Sequence, residues 1–65
     1  MSSYRVYNPA PNNGEQFTEC FSWEEAEAKA RQYQNWYGDN VTVRCFEDGK
    51  YIHYYTLVFG KFISM

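Results

Sequence analysis

The stretch from Val41 to Val58, VTVRCFEDGKYIHYYTLV, decides the fold. Val41, Val43 and Cys45 alternate with Thr42, Arg44 and Phe46, the period-two pattern of a strand with two unlike faces. Asp48-Gly49 then supplies a dipeptide favoured by two-residue type I′ turns, in which both central residues take a positive φ. The spacing therefore predicts a hairpin in which Glu47 faces Lys50, Phe46 faces Tyr51, Cys45 faces Ile52, Arg44 faces His53, Val43 faces Tyr54 and Thr42 faces Tyr55. That register sorts Val41, Val43, Cys45, Ile52, Tyr54 and Val58 onto one face. Thr42, Arg44, Phe46, Tyr51, His53, Tyr55 and Leu57 fall on the other. From Lys50 to Phe62 nearly every residue is aromatic or aliphatic, so both faces of the last strand need a cover.

One cover lies just upstream. Ser22, Trp23, Glu24 and Glu25 match a capping box, in which the Ser22 hydroxyl accepts from the Glu25 amide and the Glu25 carboxylate returns to the Ser22 amide. Trp23, Ala26, Ala30, Tyr33 and Tyr37 follow at spacings of three and four, forming one apolar stripe, and Gly38 stops the helix. Two alanines in mid-stripe allow a close approach to a sheet. Before the helix, Tyr4–Asn8 reads as a short strand ended by Pro9, Pro11, Asn12, Asn13 and Gly14, and Gln16–Phe21 alternates as a returning antiparallel strand. Gly60 marks a bulge or bend, with Lys61–Met65 a short extension or edge strand. The expected fold is α+β in a single domain, 1–65: an antiparallel sheet of three to four strands with one helix on one face, ordered ββαββ or βαββ. The stripe is expected to pack on Val6, Val41, Val43, Ile52, Tyr54 and Val58.

Composition restricts the remaining possibilities. The 65 residues are 45% hydrophobic and 22% aromatic, with a net charge of −2. A chain of this size buries only about 60% of its unfolded surface, so association with a second copy or a foreign protein is an expected source of extra core. No apolar run approaches the ~20 residues that cross a bilayer. The start MSSYRVYNPA lacks the features of a secretory leader, so a cytoplasmic location with Cys20 and Cys45 reduced is expected.

Catalytic groups are sparse. His53 is the one histidine, and no histidine or cysteine pair has metal-ligand spacing, so neither a metal nor a cofactor nor an enzymatic activity is expected. The four glycines are dispersed, which excludes a phosphate-cradling loop. Two binding constellations remain. The first is the uncovered face with Arg44, Phe46, Tyr51, His53, Tyr55 and Leu57, suited to a protein hot spot or, alternatively, to stacking single-stranded nucleic acid. Six basic against eight acidic side chains argue against direct nucleic-acid binding. The second is an acidic edge of Glu15, Glu19, Glu24, Glu25 and Glu27, with no basic residue between Arg5 and Lys29.

In its size, sheet-and-helix layout and acidic block the chain resembles the small phage-encoded antagonists of bacterial defence, anti-CRISPR proteins among them. The resemblance implies a stoichiometric, non-catalytic inhibitor that binds a protein partner, such as a nucleic-acid-binding host complex, and blocks a basic surface there. A homodimer through the aromatic face is a further expectation.

Overall fold

The computed structural model describes residues 1–10 and 16–64. Five strands and one helix follow in the order β1 Ser2–Tyr7, β2 Phe17–Cys20, α1 Trp23–Tyr37, β3 Val41–Glu47, β4 Lys50–Val58 and β5 Lys61–Ser64. They form one antiparallel sheet in the spatial order β2-β1-β3-β4-β5. The class is α+β as expected, but the strand number is not: Lys61–Ser64 pairs fully with β4, making five strands where three to four were expected. A Phe59-Gly60 turn returns the chain onto β4, so that Lys61–Ser64 is the edge strand, the second of the two forms expected for this segment. The predicted turn from Pro11 to Gly14 lies outside the described residues. Since β2 and β3 both run antiparallel to β1, the β2-α1-β3 unit is a crossover with β1 inserted between its two strands.

The helix begins as its cap predicts. Ser22 accepts from the Glu25 amide at 3.2 Å, while the Glu25 carboxylate takes the amide of Phe21, also at 3.2 Å, instead of that of Ser22. Gly38 ends it at φ 74, its N–H bonded to the Gln34 carbonyl. Ala26 and Ala30 are fully buried beneath the helix, and Tyr33 is buried beside them, its hydroxyl 2.9 Å from that of Thr18. Tyr37, expected in the stripe, is instead 42% exposed. Against the helix lie Val6, Val41, Val43, Cys20 and Leu57, with Tyr4, Trp23 and Phe62 closing the margin. Trp23 meets Tyr4, Tyr55 and Phe62 with ring centroids 5.8, 5.2 and 5.0 Å away.

Beyond Ile52 the two faces of β4 are the reverse of the sequence expectation. Glu47 faces Lys50 and Phe46 faces Tyr51, as the two-residue turn requires, but a bulge then shifts the register so that Cys45 faces His53 and Val43 faces Tyr55. His53, Tyr55 and Leu57 therefore point toward the helix, and Tyr54 and Val58 point away from it. Ile52, expected beneath the helix, is 53% exposed at the bulge. Thr56 supplies the physical reason. An unbroken register would put its hydroxyl in the core and Leu57 outside, whereas the bulge makes Leu57 the largest fully buried side chain. Burying a leucine contributes about 1.5–3 kcal/mol, enough to outweigh one irregular pair in the ladder.

Candidate functional site

The sheet face away from α1 has no second layer over it among the described residues. At its centre Arg5 of β1 and Arg44 of β3 stand opposite each other in register. The guanidinium of Arg5 lies 4.8 Å from the Phe17 ring centre and 4.5 Å from that of Phe46. Arg44 lies 5.0 Å from the Tyr7 ring, and its Nη1 donates to the Tyr7 hydroxyl at 3.5 Å. Tyr51 meets Phe46 edge-on at 5.9 Å. These partners are diagonal or cross-strand neighbours on an antiparallel sheet, within reach of long and aromatic side chains. Two arginine stems thus serve as a partial lid over an aromatic floor, with their charged ends attracted to the ring faces.

The lid is incomplete in area and in charge. Phe17, Tyr51 and Ile63 remain 45%, 52% and 47% exposed. Arg44, Thr42, Tyr51 and Tyr54 line a shallow concavity of about 510 Å³. Glu19 is opposite Arg5 in register yet makes no ion pair with it, and among the described residues neither arginine has a carboxylate within salt-bridge distance. The Nε of Arg5 is buried without a hydrogen-bond partner there. Lys61 stands on this face too, opposite Val58. A chain of net charge −2 therefore presents a locally cationic, aromatic surface.

Of the residues expected to form one aromatic site, Arg44, Phe46 and Tyr51 are brought together here. His53, Tyr55 and Leu57 are not: Leu57 is fully buried, and His53 packs edge-on to Tyr55, 5.0 Å away, beside the helix margin. The sequence reading passed over Arg5, Tyr7, Phe17 and Tyr54. The alternation of Tyr4 and Val6 with Arg5 and Tyr7 held the signal for two of them, since a strand that buries Val6 must turn Arg5 and Tyr7 outward.

The acidic edge is dispersed. Glu15 lies outside the described residues. Glu19 belongs to the open face of β2, Glu25 is engaged in the helix cap, and Glu27 holds Arg31 in an i,i+4 ion pair at 3.0 Å. Glu24 is exposed in the first helical turn.

Cys45 and His53 are cross-strand neighbours in the sheet, but no hydrogen bond joins them, and burial pushes the Cys45 thiol up, away from a reactive thiolate. Cys20 is pushed up likewise, first by burial and then by the charge of Glu25. Among the described residues no three side chains of metal-ligating type come together, and no helix is long and apolar enough to cross a membrane. Comparison with protein-family models, curated proteins and solved structures gave no match.

Proposed function

We propose that this chain is a small non-catalytic module that binds a protein partner through the open face of its sheet and acts by occupying the partner's surface. The observation that carries this reading is the pair Arg5 and Arg44, set side by side on the rings of Phe17, Phe46 and Tyr7 and lacking a carboxylate partner among the described residues. Arginine and tyrosine are the residues that concentrate binding energy at protein interfaces, and two adjacent guanidiniums call for anionic groups opposite them. The surface recognised here is acidic. The acidic block does not supply the reverse arrangement, because Glu25 and Glu27 are satisfied within the chain. Stoichiometric occlusion of a macromolecular contact, the mode implied by the resemblance to phage-encoded antagonists, suits such a face.

Single-stranded nucleic acid is the second reading, favoured by one observation: three of the six basic residues, Arg5, Arg44 and Lys61, share the aromatic face, so the net charge understates the attraction of that face for phosphate. Arg44→Glu and Tyr51→Ala chains separate the two readings. A protein partner bound one-to-one by the parent and lost by both variants supports the proposal. Binding of labelled oligonucleotides by the parent, falling steeply with salt, would replace it with the second reading.

A further inference from the structure

The open face carries its central charges in single file. Across the sheet, Glu19 of β2 stands opposite Arg5 of β1, Arg5 opposite Arg44 of β3, and Arg44 opposite Tyr54 of β4. This line crosses the strands, and an aromatic pair borders it on either side, Tyr7 with Phe17 and Phe46 with Tyr51. The two guanidiniums rest on those rings, and the N–H groups on their edges can still meet an acceptor. A complementary segment therefore offers one cation and two anions in order, with apolar groups on both sides of them.

Spacing decides what shape that segment has. Neighbouring strands lie about 4.8 Å apart, so the line from Glu19 to Arg44 covers two spacings, about 9.6 Å. On an α-helix, residues i, i+4 and i+7 share one side and cover about 10.5 Å at 1.5 Å per residue. Residues i+3 and i+8 lie on either side of them, where they can meet the two aromatic rows. An extended strand fits poorly. Its residues i, i+2 and i+4 cover about 13 Å and overrun the line, and its other side chains point away from the face, leaving the aromatic rows uncovered.

We infer, resting on the reading of this face as a binding surface for acidic groups of a protein, that it takes one α-helix of the partner. The helix lies across the strands along Glu19, Arg5 and Arg44, with a basic residue at i, acidic residues at i+4 and i+7, and apolar residues at i+3 and i+8.

The test titrates the full-length, nitrogen-15-labelled chain with three synthetic peptides, followed by nuclear magnetic resonance. The first is stapled as a helix on its far side and carries lysine at i, glutamate at i+4 and i+7, and leucine at i+3 and i+8. The second is stapled likewise, with the glutamates moved to the far side. The third is unstapled, with lysine, glutamate and glutamate at i, i+2 and i+4 of an alternating strand sequence. The first peptide should shift the resonances of Arg5, Arg44 and Tyr51 and bind about tenfold more tightly than the other two. Arg44 is exposed, so Arg44→Glu tests charge without disturbing the core. That variant should bind the first peptide about tenfold more weakly than the parent, and a peptide with lysine in place of the i+7 glutamate should recover the loss. Equal binding of the first and third peptides overturns the helix, and equal binding of the first and second overturns the charge order; either result leaves the open-face reading standing. No shift at these residues with any peptide overturns both. A single-stranded oligonucleotide that binds there more tightly than the first peptide overturns the helix in favour of nucleic acid.

Discussion

Leu57 and Val58 are adjacent aliphatic residues on one strand with opposite fates, and the difference between them measures what the β4 bulge accomplishes. Leu57 is fully buried among Val41, Val43 and the helix alanines, so Leu57→Ala should cost on the order of 2–5 kcal/mol. Val58→Ala, on the open face, should cost well under half of that; equal losses in urea unfolding would remove the bulged register. The cysteines provide a second test at this scale. Burial raises both thiols above their ordinary value of 9.0, so below that pH neither ionises in the folded or unfolded chain and their contribution to stability is complete. Above it the unfolded chain releases protons that the folded chain retains, and stability should fall as the pH climbs. A Cys45→Ala chain should show a shallower fall above pH 9.0 in thermal melts. Iodoacetamide should correspondingly label the folded parent slowly and the unfolded chain quickly.

Among the elements, the helix was the most legible in the sequence, because cap, stripe and stop signal agree on its bounds and each is a local property. Ser22, Ala26, Ala30 and Gly38 perform there what their residue types suggest. Ala30→Leu should lower stability by about 1–3 kcal/mol by forcing the helix off the sheet, measurable by denaturant titration, whereas the same change at exposed Ala28 should be nearly neutral. The hairpin was legible at its turn and illegible from the third pair onward. Asp48-Gly49 sets the first two pairs, but the choice between Thr56 and Leu57 for the core is made by the helix packing above them, which no local pattern in an aromatic strand reveals. Simple alternation from the turn puts His53, Tyr55 and Leu57 on the open face, and the bulge carries these three, half of the expected aromatic site, to the helix side. The outward turn of Arg5 is legible in the alternation of β1, but its contact with both Phe17 and Phe46 depends on β1 lying between β2 and β3, a matter of topology rather than of sequence spacing.

At the scale of the molecule, charge is distributed by face. Two copies meeting through their open faces about a twofold axis would bring four guanidiniums, Arg5 and Arg44 from each, into one apolar interface, where like charges repel strongly. The chain should therefore sediment as a monomer at micromolar concentration, and a dimer whose formation is abolished by Tyr51→Ala would contradict this. The order of the strands has another consequence. β1 is the first segment of the chain yet occupies an inner position, bonded along both edges, to β2 on one side and to β3 on the other. Removing it would leave a slot through the sheet rather than a trimmed margin. A peptide spanning residues 1–10, supplied separately to a chain lacking them, should fill that slot and restore the fold, so the protein lends itself to division into two pieces whose reunion reports on their meeting.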